Sequence, residues 1–298
     1  MFVTLIAVAA LWGAATGLLV PRAAYRLSVE PEESWRDTCG AGHAWVGPAR
    51  GWLGAPACAA CAACVAQPSE SGPVAPASSP RRRTLRLRTS VTAPRRAVTA
   101  PRRSAGTAPR RTALTVPLRT ALTAPVLTAL ACAALAAVTG PRPELAVWLL
   151  LAPFGVLLAT VDVRVHRLPD PLTLPLAAAV PLLLSGAELL PYDAGSWVHA
   201  LLGGVALGGG YLVLFLIRPS GMGLGDVKLA LCVGAALGWY GWGVLFVGTF
   251  AAFFAGSLYG LGLVVLRRGS RKSAIPFGPF MIGGALVGLL LGALSASP

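Results

Sequence analysis

The chain has 298 residues, of which 55% are hydrophobic and only 12% charged, with a mean hydropathy of +0.70 and a formal net charge of +14. That balance excludes an ordinary soluble domain and places the protein among polytopic membrane proteins. The excess of positive charge admits two partners, nucleic acid or an anionic lipid surface, and its distribution along the chain separates them.

Uncharged runs occupy 2–21, 120–141, 145–161, 171–187, 194–217, 229–266 and 275–298. The first lacks a basic region before it and a small-x-small cleavage site after it, so residues 1–21 read as a retained first transmembrane helix rather than a signal peptide. The 38-residue run 229–266 is too long for one crossing and breaks best at Trp239-Tyr240-Gly241-Trp242, whose aromatic rings suit a bilayer interface. The expected fold is therefore all-α, a helical membrane protein of about eight transmembrane helices with a small cytoplasmic loop module.

Residues 22–64 form that module and hold four of the six cysteines. Cys39 and His43, followed by Cys58 and Cys61, offer four soft ligands in two close pairs, with Cys64 a fifth. Such pairs on either side of a loop can close a tetrahedral zinc site. The competing reading is a set of reduced thiols in an Ala- and Cys-rich stretch. Cys132 and Cys232 lie in apolar runs and read as packing residues. Residues 65–119 are a Pro-, Arg-, Ala- and Thr-rich linker in which Thr92-Ala93-Pro94-Arg95-Arg96 recurs as Thr99-Ala100-Pro101-Arg102-Arg103 and Thr107-Ala108-Pro109-Arg110-Arg111. A proline about every eight residues and almost no core-forming residues point to disorder there. Residues 120–298 form the helical membrane domain, its glycine-rich stretches serving close helix packing.

Orientation follows from the bases. With the N-terminus outside, segments 21–119, 162–170, 218–228 and 267–274 are cytoplasmic and carry 24 of the 25 Lys and Arg residues, leaving only Arg142 outside. The positive-inside rule selects that topology, with Arg267, Arg268, Arg271 and Lys272 as an anchor. The basic arm 21–119 is tethered to membrane helices at both ends, so it reads as lying on anionic lipid, and no nucleic acid is expected.

Two acidic residues stand at the edges of apolar runs on the cytoplasmic side. Asp162 follows the run 145–161, and Asp226 closes Gly221-Met222-Gly223-Leu224-Gly225-Asp226. Carboxylates at membrane depth are costly and are paired, solvated or functional. Brought together they could share one proton, the equipment for hydrolysing a peptide bond without a metal. The bland alternative makes each a helix-end residue paired with the base after it, Arg164 or Lys228. Asp170, after Pro169, reads as a helix cap. His166 reads as a lipid-facing loop residue, and His199 as an outer-surface or packing residue.

These motifs resemble the prepilin leader peptidases, the bacterial membrane aspartic peptidases of type IV pilus and type II secretion systems. The matching features are Asp162 with Leu168-Pro169-Asp170-Pro171-Leu172-Thr173, then Gly223-Leu224-Gly225-Asp226-Val227-Lys228-Leu229, then Ile275-Pro276-Phe277-Gly278-Pro279-Phe280. They cover 125–298 well and the N-terminal third poorly. The resemblance implies removal of a short basic leader from pilin-like precursors at the cytoplasmic face of the plasma membrane, with Asp162 and Asp226 catalytic. It implies supporting or substrate-binding roles for Gly223, Gly225, Lys228, Pro276, Phe277 and Gly278. It implies no cofactor for proteolysis, and S-adenosylmethionine only where the new N-terminus is also methylated. Many such peptidases carry two Cys-x-x-Cys pairs in this loop; here His43 stands in for a cysteine of the first pair. A different class of function, a cation- or proton-coupled transporter using the same aspartates, would expect carboxylates near mid-span and repeated halves, neither of which is visible.

Overall fold

The computed structural model describes residues 2–29, 33–52, 58, 60–61, 116–219, 222–266 and 275–296. The linker repeats, Cys64 and the bases at 267–272 lie outside the described residues. Among the described residues nine helices longer than a single turn organise the chain: α1 Phe2–Gly17, α2 Val20–Leu27, α3 Val116–Thr139, α4 Glu144–Val165, α5 Asp170–Glu188, α6 Trp197–Ile217, α7 Leu224–Gly238, α8 Trp242–Val265 and α9 Gly278–Ser295. Among the described residues no strand forms, and the only extended pairing is an isolated bridge between Thr38 and Ala44.

Seven helical segments are long and apolar enough to cross a membrane, α1 and α2 counting together as Phe2–Leu27. The eighth, α7, has 15 residues. At 1.5 Å per residue it spans about 22 Å, less than the roughly 30 Å of a hydrocarbon core. It lies in the middle of the bundle, where nine of its residues are buried. The break expected at 239–242 falls between the end of α7 and the start of α8. Outward-facing positions are apolar, with Leu182, Val205, Phe246 and Phe250 all strongly exposed, as a lipid-facing surface requires.

Small residues set how closely the helices approach. A side chain at Gly203 would meet the Gly234 carbonyl oxygen at 2.6 Å, so α6 and α7 touch backbone to backbone. Gly284 meets the Gly248 carbonyl oxygen at 2.4 Å by the same test, which seats α9 on α8. The glycine-rich runs are thus packing seams.

The up-and-down order gathers the C-terminal ends of α4, α6 and α8 with the N-terminal ends of α5, α7 and α9. At the opposite end sits a buried polar cluster. Tyr240 donates from its hydroxyl to Glu144 Oε1 at 3.4 Å, Trp148 Nε1 donates to the Tyr240 oxygen at 3.2 Å, and Arg142 approaches Glu144 at 4.0 Å. Arg142, the lone base assigned to the outer side, is therefore half of an ion pair within the α3–α4 connection, and it also donates to the Ala293 carbonyl of α9 at 3.3 Å. His199 is exposed at that same end.

Before the linker, α1 breaks at Leu18-Leu19 and resumes as α2, which packs Val20, Ala24 and Leu27 against Leu157 and Val161 of α4. The arginines of α2 do not lie on lipid. Arg22 stacks 4.4 Å from the Trp45 ring and Arg26 4.0 Å from the Trp52 ring, and both are buried. Arg22 also donates to the Val46 carbonyl, and Arg26 to the Arg50 carbonyl and to Asp37. Cation–π stacking by desolvated guanidinium groups contributes up to about 2 kcal/mol each. Arg26→Ala is expected to loosen the 33–61 segment from α2, read as faster limited proteolysis there; unchanged cleavage would show that the stack is dispensable.

Candidate functional site

Asp162 lies one turn before the end of α4, inside the helix rather than beyond it, because α4 runs on to Val165. His166 closes that turn in a left-handed conformation, φ 51°, donating its backbone N–H to the Asp162 carbonyl at 2.8 Å. Asp162 is 4% exposed. Its Oδ2 accepts the backbone N–H of Gly278, the first residue of α9, at 2.9 Å. Glycine is required at 278 by proximity: a Cβ there would stand 2.8 Å from Asp162 Oδ2 and 3.1 Å from its Cγ.

Asp226 is the third residue of α7. Its Oδ2 accepts the backbone N–H of Gly223 at 3.1 Å, and its own N–H donates to the Gly223 carbonyl at 3.1 Å. The glycine-rich lead therefore ends in a helix N-terminus with the carboxylate folded back over it, rather than in a long extended strand. Gly225 is held by contact, since a Cβ there would lie 2.9 Å from the Cβ of Leu168. The motif around Leu168 thereby packs onto the motif around Asp226. Gly223 is looser, with nothing nearer than 3.7 Å to such an atom.

The two aspartates are gathered at one end of the bundle, and Asp162 lies within electrostatic reach of Asp226. Each is fixed by one backbone N–H through Oδ2, and among the described residues each Oδ1 accepts no hydrogen bond. Neither makes an ion pair with a described residue. Arg164 does not pair with Asp162, and Lys228 reaches Asp170 instead, at 2.6 Å. Asp170 is thus not the helix cap expected from the sequence. It is the first residue of α5, its carboxylate turned across to α7. Phe277 precedes Gly278 and packs 5.1 Å from Phe253 between ring centroids, while Pro276, partly buried, leads into that turn.

A second cluster lies in the module that α2 carries. The donor atoms of Cys39, His43, Cys58 and Cys61 all fall within 4.8 Å of one another. Cys39 Sγ is 3.6 Å from Cys61 Sγ and 3.6 Å from His43 Nδ1, and His43 Nδ1 is 3.3 Å from Cys61 Sγ. Two sulfurs bound at 2.3 Å around a tetrahedral zinc are about 3.8 Å apart, and sulfur and nitrogen slightly closer. The spacing therefore fits a metal ion. A tight turn makes it: Cys39 N–H donates to the His43 carbonyl, and Gly42, at φ 85°, donates to the Cys39 carbonyl. Burial pushes the Cys39 thiol up. Hydrogen bonds from the backbone at Ala41 and His43 and from the neighbouring thiols outweigh that and bring it to about 6. The hydrogen bond to Cys39 holds Cys61 protonated, up to about 11. The pair thus shares a proton that a cation would displace.

The described residues thus form a helical membrane bundle with two carboxylates gathered at one end, each beside a glycine motif. Residues 149–265 match the model of the type IV leader peptidase family. The chain is 34% identical over 158 residues to a prepilin leader peptidase/N-methyltransferase of Aeromonas salmonicida (strain A449), covering 50% of this chain and 48% of the relative. A protein of the same name from Burkholderia pseudomallei (strain K96243) is 35% identical over 158 residues, covering 48% and 47%, and one from Bacillus subtilis (strain 168) is 29% identical over 140 residues, covering 46% and 52%. The chain thus spans about half the length of the curated relatives it matches. No solved structure matches it significantly.

Sequence reasoning passed over two features. Glu144, fully buried, sits where an apolar run was counted from Leu145. Tyr25, Trp35, Trp45 and Trp52 make the stacks that hold the module, and their interleaving with Arg22, Arg26 and Arg36 was the available signal.

Proposed function

We propose that the protein is a membrane-embedded aspartic endopeptidase that removes the short basic leader from prepilin-like precursors. The observation that carries this reading is the pair of carboxylates, 64 residues apart in the chain, each anchored by one backbone N–H with its other oxygen meeting no donor among the described residues. One carboxylate, ionised, takes a proton from water as the water oxygen attacks the scissile carbonyl carbon. The other, protonated, donates to the carbonyl oxygen, and collapse passes a proton to the leaving amine. The pair titrates as one unit, so acid and base are roles of the pair rather than of a named residue. Position at helix ends, instead of mid-span, favours hydrolysis over ion transport.

The distribution of bases supports a cytoplasmic position for this end of the bundle at the plasma membrane, with the N-terminus outside. The apolar part of a precursor would remain in the bilayer beside the protein while its leader meets the aspartates. The deciding experiment is leader removal from a co-expressed pilin-like precursor by Asp162→Asn and Asp226→Asn variants. Wild-type processing by either overturns the reading.

Cys39, His43, Cys58 and Cys61 would hold zinc, which would brace the module structurally without entering proteolysis. Metal analysis of purified protein is expected to find about one zinc per chain in wild type and a large loss in Cys58→Ser. Equal, negligible metal in both would dismiss the site. The relatives' names include N-methyltransferase, which supports methyl transfer from S-adenosylmethionine to the new N-terminus as a second activity.

A further inference from the structure

We propose that Phe253 and Gly256 of α8, which belong to none of the three motifs, are positioning residues for Asp162. They seat the Phe277 ring and thereby aim the Gly278 N–H at the Asp162 carboxylate. This rests on the reading of Asp162 as catalytic. The first N–H groups of a helix have no partner within it, so their direction depends on how the start of the helix is held. In the peptide unit joining Phe277 to Gly278, the carbonyl is committed to α9, where it accepts the N–H groups of Phe280 and Met281 at 3.1 Å each. The N–H on the opposite edge of that rigid plane reaches Asp162 Oδ2 at 2.9 Å. Any tilt of the plane carries the donor away from the carboxylate, and the Phe277 side chain is the lever on it.

The lever is gripped by α8. The Phe277 ring stands 5.1 Å from Phe253 and 6.2 Å from Tyr211 between centroids, and Tyr211 and Phe253 are themselves 5.7 Å apart. Three rings thus pack mutually at separations that favour aromatic pairs. The backbone of α8 approaches the same ring. A Cβ at Gly256 would lie 3.2 Å from Phe277 Cε2 and 3.5 Å from its Cδ2, so glycine there leaves the ring its place. Of the four phenylalanines of α8, Phe246, Phe250 and Phe254 are exposed on the apolar outer surface. Phe253 is half-buried instead, beside the inner stripe of Leu245, Gly248, Ala252 and Gly256. α8 carries no charged residue, so what it gives the aspartate end is shape. Phe277, for which the motif left open a supporting or a substrate-binding role, is engaged here by the protein's own rings.

Phe253→Ala is expected to lower kcat for leader cleavage about 10-fold at unchanged KM, measured per folded protein well below the melting temperature, because a displaced reacting group costs rate rather than binding. Phe253→Tyr keeps the ring and is expected to restore the rate, and Phe250→Ala, on the outer surface, to match wild type. Gly256→Ala, which presses on Phe277, is expected to lower kcat, while Gly262→Ala, with open space around it, is not. Where Phe253→Ala does not insert, Gly256→Ala carries the same test. Combination with Gly278→Ala separates positioning from general packing. Once the anchor is broken, Phe253→Ala is expected to cost less than about 3-fold more, whereas independent effects would multiply. Full multiplication would overturn the proposal, as would wild-type kcat in both α8 variants. A raised KM at wild-type kcat would do so too, since it makes Phe277 a substrate contact. Asp162→Asn measured alongside tells the two layers apart. An inactive Asp162→Asn with a fully active Phe253→Ala sinks only the aromatic seat, whereas an active Asp162→Asn sinks the catalytic reading beneath it.

Discussion

Asp162→Asn and Asp226→Asn are each expected to reduce leader removal by about 10³-fold or more. A positioned acid or base contributes about 10²- to 10⁴-fold, and groups that work as a unit fail together when one is lost. Asparagine is nearly isosteric with aspartate, and its amide oxygen can still accept the N–H of Gly278 or Gly223. The substitution thus removes proton chemistry while sparing the anchor. Asp170→Asn is the matched control, from a motif only eight residues beyond Asp162. Asp170 is mostly exposed and engaged by Lys228, so its loss costs about 1 kcal/mol of ion pairing or less and leaves most activity. The measurement is the fraction of precursor processed over a time course, at equal amounts of membrane-inserted protein. Equal loss in all three variants would show that acidic charge at this edge matters, and not the pair.

Gly278→Ala is expected to lower turnover by about 10- to 100-fold, although alanine is the smallest change available. The added methyl would lie 2.8 Å from Asp162 Oδ2, closer than real contacts allow, so the carboxylate must swing away from the N–H that holds it. Gly225→Ala acts from the other half of the site by pressing on Leu168 at 2.9 Å. Gly223→Ala is the contrast. Its backbone is ordinary extended chain at φ −86°, ψ 151°, and a methyl would have 3.7 Å of clearance, so near-normal cleavage is expected. Cleavage rates that fall equally at 223 and 278 would mean that backbone proximity to Asp162 is not what makes glycine necessary there.

Much of this architecture is legible in the amino-acid order. The crossings, the break at 239–242 and the all-helical class follow from local hydropathy, since a chain in lipid must satisfy its hydrogen bonds within each helix. Asp162 and Asp226 stand out for a related reason, because charge beside apolar runs is too costly to be incidental. Cys39, His43, Cys58 and Cys61 were recognisable as ligand types, and their convergence within 4.8 Å agrees with the pairing read from their spacing.

The partners were not legible. Gly278 lies 116 residues beyond Asp162, Lys228 lies 58 beyond Asp170, and Tyr211 meets rings from α8 and from the turn before α9. The bland alternative gave each aspartate the base just after it; the fold assigns Lys228 to Asp170 and, among the described residues, leaves both catalytic candidates without one. Hydropathy sets which segments enter the membrane but says nothing of how each helix is rotated or slid against its neighbours. Those two freedoms, settled by glycine seams and aromatic contacts, decide which atoms meet, and so only the tertiary structure could join the aspartates to the groups that hold them.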